Sequence, residues 1–500
     1  MKEDNHLKWF RSAYRKIPAY KHYVDKHGVT VHAFQDIPIK DKNSYILAYS
    51  LKELFPNGTI PAIGHSSSGS SGEPTLWFRG KKQSKIGRDI YKKIFSDIFG
   101  IKKDEPTLVL ICFAMGMWVA GTYTFIACEE ISKCGYKITT FTTGMDTQAI
   151  CSILKQSASS FKNVVLIGYP FFLDVVFEEI SKQSCPIINN FFIITSGDKF
   201  SEKWRTDTLN KISKSIAQSS SVINVYGSSD AGILGYETPL SIFIRQAAIQ
   251  NGTLYKKIFG DSDPSVMPTL VQHEPENIFF EEKNGELILT TDLDCPLIRY
   301  NIHDRGRVFS FSEMREILHA SGVEDLPSNM TQDMFALPFL MVDTRTDVSI
   351  TFNAVKIYPE QIKASIIDPR IAAFFSGSFR AYMQKDCMNK NRIHLELELA
   401  QDGKSIKITQ ILEKEISDCI MEHLKKSNSE YRAIHASCPD DTVPVLSFHL
   451  YGSSPFVGTT KDGAESVLIS LAGKKPKVLT ATKQIPSLNN EKNLRKTEVC

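Results

Sequence analysis

A chain of 500 residues with 42% hydrophobic and 23% charged residues has a globular composition, which excludes disordered and fibrous classes. Its length exceeds what one ordinary core supports, so at least two domains are expected, one of them large. A formal net charge of +3, spread over nearly equal numbers of acids and bases, excludes the basic footprint of a nucleic-acid binder.

Residues 1 to 60 read as a helical lead-in, with Trp9, Tyr14 and Tyr20 among basic residues and Pro38 breaking the pattern ahead of Asp41 and Lys42. The start is polar and charged with no apolar run close behind it, so no secretory leader is expected. The ten cysteines are scattered, with no C-x-x-C pair and no His/Cys cluster at zinc spacing, which points to a reduced cytoplasmic setting without a structural metal. Residues 108 to 128 carry no charge and are long enough to cross a bilayer. The favoured reading divides them into a buried strand Leu108–Phe113, a break at Gly116 and a covered helix from Gly121. Up to about residue 310, β-rich runs such as Val164–Ile167 and Phe191–Ile194 alternate with longer mixed segments. That alternation predicts an α/β architecture with a mainly parallel sheet. Beyond residue 343, Ile393, Leu395, Leu397 and Leu399 alternate with polar residues as in a half-buried strand. Ile408, Leu412, Ile416, Ile420 and Leu424 then mark a helix whose stripe Ile411 and Cys419 widen. A small α+β domain over 348–480 and a polar, aperiodic tail over 481–500 follow.

Three segments carry chemistry. From Gly64 to Pro74, glycines and serines alternate, so backbone N–H groups and hydroxyls can converge on an anion. No Walker A pattern occurs there, and a flexible linker has a similar composition. In Val222–Gly232 a strand end runs into Tyr226, Gly227, Ser228, Ser229 and Asp230: an aromatic to stack on a purine, hydroxyls for phosphate, a carboxylate for Mg2+. A turn with satisfied side chains is the alternative. In Pro296–Arg307, Asp304 is expected just past a strand, suited to ribose hydroxyls or else to an ion pair with Arg305 or Arg307.

Taken in order, these segments resemble the adenylate-forming superfamily of acyl-CoA ligases, luciferases and nonribosomal-peptide adenylation domains. Ser67–Pro74 resembles its S-S-G-T-T-G-K-P loop, Tyr226–Asp230 its Y-G-x-[ST]-E, and Ile298–Asp304 its R-Y-R-T-G-D. Ser196-Gly197-Asp198 resembles its G-x-E segment and Thr344–Asp347 its G-R-x-D hinge. Gly168–Leu173, Gly235–Pro239 and Ala354–Ile362 are similar to the phenylacetate–CoA ligase branch, especially its coenzyme F390 synthetase and phenazine-biosynthesis-like members. The resemblance implies an adenylate-forming domain over 1–343, a hinge at 344–347 and the small domain beyond.

It further implies that ATP and a small carboxylic acid, aryl or apolar, give an acyl-adenylate, which CoA, a carrier protein or an amine then captures. Ser67, Ser68, Gly69, Ser70, Ser71 and Gly72 would hold the β/γ-phosphates. Ser196, Gly197, Asp198 and Tyr226, with Gly227 and Ser228 beside it, would surround the adenine, and Ser229 would meet the α-phosphate. Asp230 would hold Mg2+, Asp304 the ribose, and Arg345 would sit at the hinge. A catalytic lysine is expected at Lys475 or Lys474. The acid pocket would draw on Phe113–Tyr123, Tyr169–Phe172 and Ser228–Tyr236. No nucleic acid and no membrane are expected as partners, and homodimerisation is left open. Glu73 departs from the family's frequent lysine, with Lys81 or Lys82 as candidate compensation; Asp230 replaces glutamate; Asn301, His303 and Val348 also depart. Two alternatives stay open: an acyl-protein synthetase-like enzyme and a degenerate nucleotide-binding partner protein.

Overall fold

The computed structural model describes residues 5–66, 75–187, 190–262, 264, 267–323, 326, 335–345, 350–353, 355–386, 388, 390–400, 408–451, 453 and 467–469. Two compact units divide between Asp347 and Val348. The first begins with the helices Asn5–Lys16 and Pro18–Lys26, the second helix opened by Pro18, whose missing N–H costs nothing in a first turn. Phe10, Ala13, Tyr20 and Tyr23 from these helices share a core with Leu287, Leu289 and Tyr300. An antiparallel hairpin of β1 (Ile63–Ser66) and β2 (Leu76–Arg79) flanks residues 67–74 in sequence.

One sheet of eleven strands organises this unit. Its parallel half comprises β3 (Thr107–Cys112), β4 (Ile138–Phe141), β5 (Asn163–Gly168), β6 (Phe191–Ser196) and β7 (Val222–Ser228). All six residues of β3 and all six of β5 are buried, which is why they read as unbroken apolar runs. The uncharged stretch 108–128 is accordingly split between β3 and the helix Val119–Lys133, and the chain turns between them at Gly116, whose φ of +91° a side chain would oppose. No described helix is long and apolar enough to cross a membrane.

The other half is built from β8 (Gly232–Tyr236), β9 (Thr269–Gln272), β10 (Phe279–Lys283), β11 (Glu286–Thr291), β12 (Leu297–Phe309) and β13 (Phe339–Arg345). The order across the sheet is β10-β11-β12-β13-β9-β8-β7-β6-β5-β3-β4, and every pairing from β7 to β10 is antiparallel. The mainly parallel sheet expected from sequence therefore describes one half. In the other, links as short as those joining β7 to β8 and β10 to β11 leave no room for a crossover, so those neighbours must run antiparallel.

The second unit pairs β14 (Ile350–Phe352) with β15 (Val355–Ile357). It also carries a sheet ordered β18-β17-β16-β19, from β16 (Phe375–Lys385), β17 (Asn391–Leu399), β18 (Val445–His449) and β19 (Val467–Ile469). Ile393, Leu395, Leu397 and Leu399 are buried as their alternation requires. The helix Gln410–Ser427, capped by the Thr409 hydroxyl, buries Ile416, Cys419, Ile420, Met421 and Leu424. Ile411 does not widen that stripe: it is 74% exposed, because it lies in the first turn, ahead of the buried stretch, and Met421 takes part instead. Residues 481–500, expected as a tail, lie outside the described residues.

Candidate functional site

The chain passes from β3 to β4 on one side and then to β5 on the other, so the order reverses between β3 and β5. Ligands of open α/β sheets bind outside the carboxyl ends of strands at such a reversal. Phe113 and Tyr169, which follow those two ends, meet edge to face at 4.8 Å, and Phe171 stacks on Tyr169 at 5.8 Å. These are residues expected for the acid pocket. None of these three rings lines the narrow recess beside Ala231, whose walls include Ile86, Ile90, Ile233 and Leu293.

One strand further across, β6 and β7 end side by side, with Ser196 opposite Val225. The expected adenine residues Ser196–Asp198 and Tyr226 are thus brought to one edge. Asn224, buried beneath them, donates from Nδ2 to the Asp198 carbonyl at 3.2 Å. The turn from β7 to β8 then presents Ser228, Ser229 and Asp230, with Ser228 Oγ accepting from the Ala231 amide at 3.1 Å. Gly227 permits this turn: a Cβ there would lie 2.8 Å from the Gly232 carbonyl oxygen. Gly227→Ala should force the two strands apart and lower the midpoint of thermal unfolding, by about 1–3 kcal/mol of overpacking strain, with a larger proportional loss of nucleotide binding. Calorimetry with and without ATP would read both.

Two phenol–carboxylate bonds cross between the second and third segments. Tyr226 Oη donates to Asp304 Oδ2, and Tyr300 Oη donates to Asp230 Oδ2 at 2.6 Å. Tyr300 is fully buried; burial first, and then the Asp230 charge, raises its hydroxyl well above the ordinary range, so it stays a proton donor. Asp304 does not follow a strand, as its sequence position suggested. It lies inside the 13-residue β12, next to a register shift that re-aims the side chain. His303, one of the departures from the resembled motif, has a left-handed backbone with φ +61°. Asn301 Oδ1 accepts from its amide at 2.7 Å, and its ring Nε2 sits 3.2 Å from Asp41 Oδ2, so local bonds offset a strain of about 1 kcal/mol. Asn301 and His303 thereby brace the backbone that leads into Asp304.

Lys82, one candidate to offset Glu73, is bound to Asp292 at 2.9 Å with half its side chain exposed. The sequence reading passed over Tyr300 and Arg79. Arg79 is 2% exposed at the end of β2, and its Nη2 donates to the Ser229 carbonyl at 2.6 Å. The loop residues Ser67, Ser68, Gly69, Ser70, Ser71, Gly72 and Glu73, the hinge residues Thr346 and Asp347, Val348, and both Lys474 and Lys475 lie outside the described residues. Arg345 ends β13, and nothing is described of its side chain.

In the second unit, Asp368, Cys419 and His423 bring ligand atoms within 4.8 Å of one another, a grouping the sequence spacing did not suggest. Asp368 is already committed there, to Arg370 at 3.0 Å and to His423 Nε2 at 2.7 Å. The cluster therefore reads as an ion-pair network.

No protein-family profile and no curated protein sequence matches the chain. Among solved structures, a 2-hydroxyisobutyryl-CoA ligase in complex with 2-HIB-AMP and CoA, in the thioesterification state, has a TM-score of 0.60 at 13% identity, over 92% of this chain and 88% of that one. An open conformation of that ligase has a TM-score of 0.49 at 12% identity, over 92% and 89%. The amide bond synthetase McbA from Marinactinospora thermotolerans has 0.47 at 10%, over 79% and 66%. At such identity the first of these speaks for the fold, and this chain is built on the fold of the 2-hydroxyisobutyryl-CoA ligase.

Proposed function

We propose that this chain is an ATP-dependent ligase that activates a carboxylic acid as its acyl-adenylate and passes the acyl group to CoA or another thiol or amine. The observation that carries this reading is the crossed pair Tyr226–Asp304 and Tyr300–Asp230, which draws nucleotide-type residues from two distant segments to one strand edge. The shared fold with a ligase solved with an acyl-AMP and CoA supports it.

In this reading the acid's carboxylate oxygen bonds to the α-phosphorus of ATP, the bond to pyrophosphate breaks, and pyrophosphate leaves. Displacement of this kind depends on positioning and on neutralising charge more than on a general base. Ser196–Asp198 and Tyr226 receive the adenine, Asp304 the ribose, Ser229 the α-phosphate, and Ser67–Gly72 the outer phosphates. Asp230 would hold Mg2+: it is a hard carboxylate whose Oδ2 is held by Tyr300, leaving its second oxygen to meet the cation. Bound there, the ion would neutralise charge on the triphosphate. The Phe113–Tyr169–Phe171 cluster favours an aryl or apolar acid, as in the phenylacetate–CoA ligase branch. The division of units beside Asp347 supports a hinge at 344–347, and the scattered cysteines support a cytoplasmic setting.

Acid-dependent exchange of labelled pyrophosphate into ATP, over a panel of aryl and fatty acids, tests the reading. Exchange with at least one acid is expected, and Lys475→Ala or Lys474→Ala, made separately, should depress it at least 100-fold in one case. ATP binding without exchange on any acid would sink it in favour of a nucleotide-binding partner protein.

A further inference from the structure

We propose that Arg79 is an oxyanion-binding residue of this site, whose ligand is the phosphoryl group of ATP or the carboxylate of the acid brought to the Ser228–Asp230 turn. The inference rests on the reading of that turn given above, and begins from an unbalanced charge. Arg79 is 2% exposed, yet among the described residues it makes no salt bridge. Its one hydrogen bond among the described residues runs from Nη2 to the Ser229 carbonyl, and its Cζ lies 5.6 Å from the centre of the Tyr123 ring. Nε and Nη1 are buried with no hydrogen-bond partner, leaving three N–H donors unused.

The neighbours do not cancel the charge. His65, across the hairpin, is 3% exposed, and burial first, with the Arg79 charge second, lowers its pKa to about 4, so the ring is neutral at pH 7. Tyr123 is held neutral by burial and spends its hydroxyl on the Gln83 carbonyl at 2.7 Å. Asp230 is near enough for its charge to be felt at Arg79, but its recorded bond is to Tyr300. Burial lowers the guanidinium pKa to about 10, which leaves it cationic at pH 7. An arginine sealed in this way costs stability until an anion meets it.

The test uses the full chain with Arg79→Met, which keeps the bulk and removes the charge, and Arg79→Lys, which keeps the charge. Titration calorimetry with Mg-ATP and with inorganic pyrophosphate is combined with thermal unfolding of the unliganded proteins. Arg79→Met should unfold at the same or a higher temperature than the parent and bind the anionic ligand about 10- to 100-fold more weakly, as for a lost hydrogen bond to a charged group. Arg79→Lys should lose less. Weakened ATP and pyrophosphate binding assigns the ligand to the phosphoryl group; unchanged ATP binding with a raised KM for the acid in pyrophosphate exchange assigns it to the carboxylate. If Arg79→Met unfolds the chain or lowers its stability, or if neither affinity moves, Arg79 is structural and the proposal is overturned. Loss of ATP binding in Arg79→Met from a chain that exchanges with no acid would retain the oxyanion site while the adenylation reading fails. A parent chain that binds neither probe overturns both.

Discussion

Asp230→Asn is expected to lower acid-dependent pyrophosphate exchange by about 10²- to 10³-fold, the scale of losing one preorganised charge-stabilising group. The substitution isolates charge from shape. Asparagine retains a carbonyl oxygen that can accept the Tyr300 hydroxyl now 2.6 Å from Oδ2, so β12 and the β7–β8 turn should stay joined and thermal unfolding should move little. What disappears is the negative charge that would draw a divalent cation to the phosphates. Raising magnesium should therefore recover part of the rate. Tyr300→Phe makes the complementary change, leaving the charge but freeing the carboxylate to rotate; its loss should be nearer tenfold and insensitive to magnesium. A rate for Asp230→Asn within threefold of the parent would remove Asp230 from the cation site.

What the sequence disclosed, and what it withheld, follows from the range of the interactions involved. Val164–Ile167 and Phe191–Ile194 were legible as buried strands because both of their faces are covered, and an unbroken apolar run is the local trace of that burial. The helix Gln410–Ser427 was legible because its period is written within 18 residues. The antiparallel half of the sheet left a weaker trace. β9 is four residues long and pairs with β13 some seventy positions later, and β12 bends through positive φ at Arg299 and His303, which no propensity announces.

The site divides the same way. Tyr226 and Asp230 stood out because a strand end, a glycine, hydroxyls and a carboxylate are compressed into a few residues. Tyr300 lay in plain view in the third segment, but its partner is 70 positions away. Arg79 was the least visible. Followed by Gly80, Lys81 and Lys82 it reads as one more solvated cation, and only the Ser229 carbonyl, 150 positions on, and the Tyr123 ring reveal it as buried. The signal that could have exposed it is the alternation Trp77, Arg79 along a four-residue strand, too short to weigh against the charge.

The second large effect is on stability. Glu237→Gln should cost on the order of 3–5 kcal/mol in the larger unit, the range for removing one partner of a buried ion pair. Beneath the site, Arg205 binds Glu202 at 2.8 Å and Glu237 at 2.7 Å, and Arg245 binds Glu202 at 2.6 Å. Two cations and two anions thus balance, with both guanidiniums at most 2% exposed and packed near the Phe200 ring. Glutamine can keep hydrogen bonds but leaves one positive charge uncompensated. The damage should reach the site, because Glu237 Oε2 accepts from the Asn224 amide at 2.7 Å, two residues before Tyr226. Acid should act on the same network. Burial alone would raise the Glu202 carboxyl, but the Arg205 and Arg245 charges outweigh it and hold it down to about 2 against an ordinary 4.5. Its contribution is therefore complete above pH 4.5 and is lost as pH falls towards 2, the sign for a depressed carboxylate. Urea unfolding of parent and Glu237→Gln at pH 7 should give a lower midpoint at equal slope, and the parent's own midpoint should fall as pH drops below 4.5. A loss under about 1 kcal/mol, or a parent midpoint that ignores pH, would mean that the four charges are held apart by solvent rather than locked to one another.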